Sequence, residues 1–291
     1  MSGLKKYSEL LRLSHWVKNL FVLAPLFFSG QFAEPGKFKA GLLAFLAMGF
    51  GASAIYILND LADRNQDRLH PIKQHRPLAG RTVPESFAKL VMPALAGLGL
   101  ALAFYLNQTA GLLLLAYLAI NLLYTFWLKH FPVIDISVIG LGFLIRVLLG
   151  GAATQIPVSH WLVMMTFVLA LFLALGKRHD DLLLIEKTGT PLRRSLQGYN
   201  LKFTSQAMTM LAGTLFLLYF QYLEIAPTAS RFQGKFPYVS GIIVLLGMLR
   251  YLQATFVYEK SGSPITQLFT DRFLQVIVLA WLGHFTYMLY V

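Results

Sequence analysis

Cysteine is absent from this sequence of 291 residues, which excludes disulfides, thiolate metal sites and a cysteine nucleophile. Charged residues are also scarce, at 13% of the chain against about 25% in soluble domains. Hydrophobic residues make up 56% and are concentrated in long runs, as is typical of a polytopic helical membrane protein. The formal charge of +12 needs no nucleic-acid partner, because basic residues also gather on the cytoplasmic side of membrane proteins.

Nine stretches are apolar over about 20 residues, the length that crosses the hydrocarbon core of a membrane. We therefore predict an all-α fold, a polytopic membrane helix bundle of nine transmembrane helices that forms one domain over residues 1–291. The first stretch is the weakest, because it contains a proline and a glycine. We expect no cleavable signal peptide, since no short apolar run precedes a small-residue cleavage site. The predicted spans are 17–33, 38–58, 88–106, 110–128, 133–152, 160–176, 204–224, 237–257 and 271–290.

Lysine and arginine are distributed unevenly between the segments that connect these spans. With the N-terminus inside, 20 of the 25 lie on the inner side or at the inner end of a span, four lie on or near the outer side, and Arg146 alone lies in the middle of a span. Because basic residues favour the cytoplasmic side, we expect an integral protein of a bacterial-type inner membrane with a cytoplasmic N-terminus. The two long charged loops, 59–87 and 177–203, then both lie on the cytoplasmic side, where we expect the active site.

The second predicted span runs directly into a charged motif, "NDLADRNQD", which begins at Asn59. Asp60, Asp63 and Asp67 are spaced i, i+3 and i+7, so a continuing helix would present them on one face. Carboxylates that repel one another are favourable around a divalent cation, and oxygen ligands suit Mg²⁺, which shares its coordination with phosphate. We predict a Mg²⁺ site here; the alternative is a solvated helix end at which the acids pair with neighbouring arginines.

The segment after this motif, "HPIKQHRP", begins with His70 and places Lys73, His75 and Arg76 between two prolines. The prolines end the helix and turn the basic segment back over the carboxylates. Basic groups beside a metal site are typical of a phosphate clamp, in which arginine offers bidentate donors and lysine a point charge. Ordinary juxtamembrane charge is the alternative, and we do not expect the histidines to bind metal.

A second charged segment, "GKRHDDLLLIEKTGTPLRRSLQGY", follows the sixth predicted span. Asp181 and Glu186 are five residues apart, so they align less well on a helix than the first three acids. They would bind a second cation or orient the basic pair Lys177 and Arg178. The alternative is an amphipathic helix at the membrane interface with internally paired charges.

Polar groups also lie within or beside the predicted spans, where charge is costly and usually functional. Lys18 and Asn19 open the first span, Asp135 begins the fifth, and Arg146 lies three turns further along it. We expect a bound anion or a buried carboxylate to offset Arg146. A structural Asp–Arg pair between helices is the alternative.

Carboxylates, a predicted cation and many basic groups beside a membrane suit a reaction in which diphosphate leaves. The cations absorb the charge that develops as the C–O bond breaks, and the apolar walls of a helix bundle would admit a long prenyl chain. The sequence contains no P-loop, G-x-S-x-G or H-E-x-x-H motif that would favour another chemistry.

The pattern N-D-x-x-D-x-x-x-D resembles the first Asp-rich motif of the UbiA superfamily of intramembrane prenyltransferases, whose helical bundle agrees with nine spans. Within the superfamily, the closest resemblance is to decaprenyl-phosphate phosphoribosyltransferases. The combination of H-P-x-K-x-x-R-P with W-V-K-N is more specific than the Asp motif alone. The resemblance covers nearly the whole chain and is carried by "HWVKNLFVLAPL", "NDLADRNQDRLHPIKQHRPLA", "GKRHDDLLLIEKTGTPLRRSLQGY" and "LRYL…DRFLQVIVLAW".

The resemblance implies transfer of a 5-phosphoribosyl group from phosphoribosyl diphosphate to a polyprenyl phosphate, with release of diphosphate. It implies Mg²⁺ as the cofactor, and it leaves a homo-oligomer open. The expected metal ligands are Asn59, Asp60, Asp63 and Asp67, and Asp181 joins the three aspartates as a catalytic carboxylate. The residues expected to bind the substrates are Lys18, Asn19, Asn59, Lys73, Arg76, Tyr124, Lys129, Arg146, Lys177, Arg178, Glu186, Arg193 and Arg194.

The second motif departs from this branch of the family, in which it usually reads K-R-Y-A-E-L. Here it reads "KRHDDL", so that Asp181 replaces Glu, His179 replaces Tyr and Asp180 replaces Ala. Two other functions stay open. An aromatic prenyltransferase of the same superfamily carries phosphate on one substrate only and needs fewer cations. A transporter of anionic lipids would be expected to contain discontinuous helices near the midplane of the membrane.

Overall fold

The computed structural model of the chain describes residues 3–69, 73–189, 196–225, 229–232, 234–259 and 264–291. These residues form α-helices and short 3₁₀ helices without a β-strand, which confirms the all-α prediction. The α-helices are α1 (Gly3–Leu10), α2 (Ala24–Phe28), α3 (Pro35–Arg68), α4 (Glu85–Leu106), α5 (Gln108–Phe126), α6 (Ile134–Thr154), α7 (His160–Thr188), α8 (Leu201–Ile225), α9 (Pro237–Phe256), α10 (Pro264–Thr270) and α11 (Arg272–Tyr290). The 3₁₀ helices are Leu13–Leu23, Lys73–His75, Leu128–His130 and Ala229–Phe232.

In the part of the chain that the structure describes, eight helices are long and apolar enough to cross a membrane: α3 to α9 and α11. They correspond to the second to ninth predicted spans, which agrees with an integral membrane protein. The first predicted span, 17–33, instead lies in the shorter apolar helix Leu13–Phe28, which is 3₁₀ up to Leu23 and α-helical afterwards. Pro25 accounts for the break, because proline is tolerated in the first turn of an α-helix but not in its interior.

Contacts divide the chain into two compact units. The first comprises Met1–Phe27, Gln31–Leu128 and Ile145–Pro157, and the second comprises Phe28–Gly30, Lys129–Leu144 and Val158–Val291. Helix α6 is divided between them, with its N-terminal half in the second unit and its C-terminal half in the first. The single domain predicted for residues 1–291 stays a prediction.

The first unit is built around α3, which packs against α4 and α5. Glycines allow its backbones to approach closely, as is common between membrane helices. A Cβ atom at Gly99 would lie 2.8 Å from the carbonyl oxygen of Ala47, and one at Gly150 would lie only 1.8 Å from that of Val22. The hydrophobic core of this unit therefore depends on small residues at the helix crossings.

Helix α3 has 34 residues, which at 1.5 Å per residue make it about 51 Å long. The hydrocarbon core of a membrane is about 30 Å thick, so α3 is longer than a single crossing needs. Its last turns, which carry the acidic motif, extend beyond its apolar part. The helix continues to Arg68 because nothing in the motif breaks it, and Pro71 follows shortly in the sequence.

The second unit is held together by α7 packed on α8, α8 on α9 and α9 on α11. Rings from several of its segments form one aromatic cluster: Phe28, Tyr222, Phe232, Trp281 and Phe285. Helix α7 has 29 residues, about 44 Å, and it carries the "KRHDDL" motif in its C-terminal half. The second charged segment therefore begins on a helix that, like α3, is longer than one crossing.

Candidate active site

The acidic motif occupies the last turns of α3, where Asp60 and Asp67 are buried with 2% and 5% of their surface exposed. Seven residues make nearly two helical turns, so these two carboxylates lie one above the other. Asp63 is half-buried. The helical face that the spacing predicts is therefore present, with Asp63 turned toward its edge.

Two arginines neutralise the buried carboxylates. Arg76 Nη1 lies 3.2 Å from Asp60 Oδ1 and 2.6 Å from Asp67 Oδ2. Arg12 Nη2 also donates to Asp60 Oδ1. Buried charges are stable only when they are paired and hydrogen-bonded, and the four side chains together carry no net charge. We call this set, Arg12, Asp60, Asp67 and Arg76, the acidic network.

The acidic network fits a divalent cation in two respects. First, its two carboxylates lie close enough together to share one cationic atom, Arg76 Nη1. Second, both ion pairs of Asp60 use Oδ1, so that Oδ2 carries no hydrogen bond within the described residues.

The other predicted ligands are not arranged around a metal position in the described part of the chain. Asn59 Oδ1 accepts a hydrogen bond from the Thr125 hydroxyl at 2.5 Å. Among the described residues, no three His, Asp or Glu side chains are close enough to hold a metal together. The set of four metal ligands therefore stays a prediction.

The basic segment does return to the carboxylates, as the two prolines predict. Lys73 begins the 3₁₀ turn Lys73–His75, whose first carbonyl accepts a hydrogen bond from Arg76 N at 3.0 Å. This turn brings the Arg76 side chain to the acidic network. His70 lies outside the described residues, so its predicted lack of a metal-binding role stays a prediction.

A second polar cluster of the first unit surrounds Arg146, which is 5% exposed. Its Nε donates to Asn19 Oδ1 at 2.9 Å, its Nη2 donates to the Tyr117 hydroxyl at 3.1 Å, and its guanidinium lies 4.9 Å from the centre of the Tyr117 ring. Lys18 is close enough to Arg146 and Arg12 to repel both. Asn19 Nδ2, which is buried, has no hydrogen-bond acceptor within the described residues. Cations that repel one another beside an unsatisfied donor favour an anionic ligand.

The remaining predicted substrate-binding residues before α6 lie near the end of α5. Tyr124 is half-buried on its last turns, next to the Thr125 that contacts Asn59. Lys129 is half-buried in the 3₁₀ turn Leu128–His130. Their predicted substrate contacts stay predictions.

In the second unit, Asp135 is fully buried and accepts two hydrogen bonds, one of them within an ion pair. Arg178 Nε donates to Asp135 Oδ2 at 3.0 Å, Arg178 Nη2 lies 2.7 Å from the same oxygen, and the Tyr199 hydroxyl donates to Oδ1 at 2.6 Å. Burial, followed by this hydrogen bond, raises the pKa of Tyr199, which keeps the phenol a neutral donor. Asp135 thus forms an Asp–Arg pair between helices, of the kind that the sequence offered as an alternative, but its partner is Arg178 on α7 and not Arg146.

The other acids and bases of the second charged segment are more exposed. Asp181 lies 3.8 Å from Arg178 Nη1, with 34% of its side chain exposed, while Lys177 and Glu186 lie on the surface of α7. The structure therefore brings Asp181 and Arg178 together but shows no contact between Asp181 and Glu186. Arg193 and Arg194 lie outside the described residues. The substrate contacts predicted for Lys177, Arg178, Glu186, Arg193 and Arg194, and the catalytic role predicted for Asp181, stay predictions.

Two of the three substitutions in "KRHDDL", at His179 and Asp180, lie on buried positions of α7. His179 Nδ1 forms a hydrogen bond of 2.8 Å with the Thr204 hydroxyl on α8, and its ring meets Phe256 edge to face. Asp180 is also buried. His179 therefore serves packing between α7 and α8, whereas the partially exposed Asp181 points toward Arg178.

Sequence reasoning missed Arg12, Tyr117 and Tyr199 as members of these clusters. Arg12 interrupts the apolar run "LLRLSHW", which was the available signal. Tyr117 gave none, because a tyrosine in an apolar stretch is usually a core residue. Tyr199 ends the second charged segment, but no spacing connects it to Asp135.

Comparison with protein families places these motifs in context. Residues 22–277 match the model of the UbiA prenyltransferase family, which spans most of the chain. The chain belongs to the UbiA prenyltransferase family. Both charged segments, and the buried Arg146, lie within the matched residues.

Two relatives match this chain over more than nine tenths of its length. A Mycobacterium tuberculosis protein named decaprenyl-phosphate phosphoribosyltransferase is 35% identical over 277 residues, which cover 94% of this chain and 90% of the relative. A Corynebacterium glutamicum protein of the same name is 34% identical over 275 residues, covering 93% and 82% of the two chains. The similarity therefore includes both charged segments.

A solved UbiA structure has the same fold. A UbiA homologue from Archaeoglobus fulgidus bound to DMAPP and Mg²⁺ superposes with a TM-score of 0.72, covering 98% of this chain and 99% of that one at 20% identity. This agreement supports the UbiA-like helix bundle that the sequence predicts.

Proposed function

We infer that this UbiA-family member is a membrane-embedded pentosyltransferase that moves a 5-phosphoribosyl group from phosphoribosyl diphosphate to a polyprenyl phosphate, releasing diphosphate. The observation that carries the inference is the similarity, over more than nine tenths of the chain, to relatives named decaprenyl-phosphate phosphoribosyltransferase. The described residues add a second argument, because they offer two places for phosphate.

The two places suit a reaction in which both substrates carry phosphate. One is the acidic network with Lys73 beside it, and the other is the cluster of Lys18, Asn19 and Arg146. An aromatic prenyltransferase has phosphate only on its prenyl donor, so the second place would have no use there. The unsatisfied Asn19 Nδ2 supports a phosphate oxygen as the ligand of this cluster.

We propose that phosphoribosyl diphosphate binds at the acidic network with Mg²⁺, which Asn59, Asp60, Asp63 and Asp67 would hold. The UbiA homologue whose structure contains DMAPP and Mg²⁺ supports use of a divalent cation in this family. When bound, Mg²⁺ would stabilise the negative charge on the departing diphosphate.

The chain's own residues then bind and orient two anions. An oxygen of the polyprenyl phosphate, held by Lys18, Asn19 and Arg146, forms a bond to ribose C1 while the bond from C1 to diphosphate breaks. The electron pair of that bond leaves with diphosphate. A phosphate monoester is already anionic and nucleophilic at pH 7, so no residue needs to act as a strong base. This agrees with clusters that are rich in cations.

We also propose that the protein lies in a bacterial-type inner membrane with its N-terminus and the acidic network on the cytoplasmic side. The distribution of lysine and arginine supports this orientation. Cysteine accessibility would test it, since the chain has no cysteine of its own and single cysteines placed in loops 81–84 and 157–159 would label from opposite sides.

Turnover of radiolabelled phosphoribosyl diphosphate by the purified protein in detergent tests the function. With decaprenyl phosphate and Mg²⁺, label is expected in the lipid fraction. Asp60→Asn and Asp67→Asn should each reduce the rate at least about 100-fold, the usual effect of losing a group that stabilises charge in the transition state. Glu85→Gln is the matched control, because it removes a carboxylate that pairs with Arg64 outside the acidic network.

A parallel reaction with a polyprenyl diphosphate and 4-hydroxybenzoate separates the proposal from the aromatic prenyltransferase. Product there, without labelled lipid in the first reaction, would replace the proposed function. Movement of anionic lipid across vesicles without any turnover would favour a transporter instead.

A further inference from the structure

Arg12 lies in a turn whose backbone conformation is unusual. The residue links α1 to the 3₁₀ helix Leu13–Leu23 with φ 50° and ψ 47°, in the left-handed region that residues other than glycine rarely adopt. Such conformations persist only where surrounding contacts impose them, and they are most frequent at functional sites.

The contacts that fix this turn come from α3. The Ser53 hydroxyl donates to the carbonyl oxygen of Leu11 at 2.8 Å and accepts from Trp16 Nε1 at 3.1 Å. The Trp16 ring lies so close to Gly49 that a Cβ atom there would be 2.8 Å from it. The chain is therefore held on both sides of Arg12, two to three turns of α3 before Asp60.

The side chain of Arg12 lies along the same face of α3. Its guanidinium is 4.9 Å from the centre of the Tyr56 ring, one helical turn before Asp60, to which it donates. The Arg12 side chain is 18% exposed, whereas that of Asp60 is 2% exposed. The backbone position is thus fixed, while the charged group lies between a buried carboxylate and the exterior.

A metal ion cannot join Asp60 while both arginines remain on it. Arg12 and Arg76 already donate to the same oxygen, Oδ1, and a dication at contact distance would repel two guanidinium groups strongly. Binding of a metal therefore requires that at least one guanidinium leave the carboxylate. Because its backbone is fixed, a released Arg12 would stay beside Asp60, where a diphosphate bound to that metal would lie.

We propose that Arg12 is an exchange cation: it neutralises Asp60 before substrate binds, and it transfers to the diphosphate oxygens when metal and diphosphate arrive together. Guanidinium suits both states, since it forms bidentate hydrogen bonds with carboxylate and with phosphate alike. The role deepens the proposed function and depends on its metal assignment. It makes the site favour the metal–diphosphate complex over the metal alone.

Binding of Mn²⁺ to the purified protein in detergent, measured by electron paramagnetic resonance, tests the exchange without turnover. Arg12→Gln is expected to bind Mn²⁺ alone about tenfold more tightly than the wild type, since a competing charge-assisted hydrogen bond is lost. In the presence of inorganic diphosphate, the same variant should bind the Mn²⁺–diphosphate complex about tenfold more weakly, because the released guanidinium is missing.

Arg64→Gln is the matched control. It removes one positive charge from α3, one turn after Asp60, where the Arg64 side chain pairs with Glu85 at 3.0 Å. The affinities for Mn²⁺ alone and for the Mn²⁺–diphosphate complex should both stay within about twofold of the wild type. Arg12→Lys keeps the charge but loses the planar guanidinium that can donate two parallel hydrogen bonds. It should therefore leave the affinity for Mn²⁺ alone nearly unchanged and still weaken binding of the Mn²⁺–diphosphate complex. If Arg12→Gln does not elute as a folded monodisperse species, the test uses Arg12→Lys instead.

The outcomes separate this proposal from the one on which it depends. If Asp60→Asn binds Mn²⁺ as the wild type does, the metal assignment itself is wrong. If Asp60→Asn loses Mn²⁺ while Arg12→Gln and Arg12→Lys match the wild type in both titrations, the metal assignment stands and the exchange role of Arg12 is refuted. A change in Arg64→Gln as large as that in Arg12→Gln would also refute it, because the effect would then be general electrostatics.

Discussion

Replacing Asp135 with asparagine should destabilise the protein by about 3 kcal/mol. The carboxylate is fully buried, forms an ion pair with Arg178 that includes one hydrogen bond, and accepts a second hydrogen bond from Tyr199. Removing one member of a buried ion pair usually costs about 3–5 kcal/mol, since the other charge stays buried. The amide keeps the shape and one acceptor oxygen, so we expect the lower end of that range. Asp181, 3.8 Å from Arg178 and partly exposed, is too distant to replace it.

Equilibrium unfolding in mixed detergent micelles would measure the change, with four further variants to isolate its cause: Tyr199→Phe, Asp181→Asn, Arg178→Gln, and the double variant of Asp135→Asn with Arg178→Gln. Tyr199→Phe removes the 2.6 Å hydrogen bond to Asp135 and the 2.7 Å hydrogen bond that the phenol accepts from Val133 N, and should cost about 2 kcal/mol. Asp181→Asn removes the same charge from a longer, more exposed contact and should cost about 0.5 kcal/mol. The double variant Asp135→Asn with Arg178→Gln should be more stable than the sum of the single changes by about 2 kcal/mol, since no buried charge is left behind.

Two results would refute this reasoning. A loss under about 1 kcal/mol in Asp135→Asn would mean that the pair contributes no more than a surface salt bridge. Additive single changes in the double variant would mean that Asp135 and Arg178 do not stabilise each other. In either case, the position of α7 relative to the start of α6 would have to depend on apolar packing alone.

Two further predictions concern the helices around the clusters. Gly150→Ala should destabilise the protein by about 3 kcal/mol or prevent its folding, because the added Cβ would collide with the carbonyl oxygen of Val22. Gly97→Ala is the control, because nothing lies within 4 Å of the added Cβ, and it should be neutral or stabilise the protein by up to about 1 kcal/mol. Unfolding of both variants in micelles measures the difference. The hydrogen bond from Arg250 lowers the pKa of Asp271. The ionised Asp271 therefore stabilises the folded protein above the ordinary aspartate pKa of about 4, and this stabilisation is lost as the pH falls toward the lowered pKa. Asp271→Asn should therefore be less stable than the wild type at pH 7, with a difference that shrinks below about pH 4; a constant difference would contradict this.

The membrane helices could be predicted from the sequence because each is a continuous apolar run of sufficient length. The first span could not, since the sequence shows a proline but not which geometry the chain adopts around it. Leu13–Leu23 is 3₁₀, and its path depends on contacts with α3 such as that between Trp16 and Ser53. Local composition contains no information on such contacts.

The acids of the site could also be predicted, but their partners could not. At 100° per residue, Asp67 is rotated by only about 20° from Asp60, whereas Asp63 is rotated by about 60°, which explains why the first two are buried together. Arg12 is 48 residues from Asp60 in sequence, and Arg178 is 43 residues from Asp135. Many basic residues satisfy the charge requirement equally well, so only tertiary packing determines which of them pairs.

The two buried carboxylate clusters differ in a way that composition does not reveal. Both oxygens of Asp135 are occupied: one contacts Arg178 and the other accepts a hydrogen bond from the neutral Tyr199 phenol. A ligand could therefore bind this carboxylate only by displacing one of these two side chains. Asp60 has one oxygen without a hydrogen bond in the described part of the chain, because Arg12 and Arg76 both donate to the other oxygen. The side chains of these two arginines are 18% and 27% exposed. Both clusters satisfy the requirement that charge be buried only in pairs. The first pair can therefore maintain structure, whereas the second keeps one carboxylate oxygen available for the metal ion that we propose.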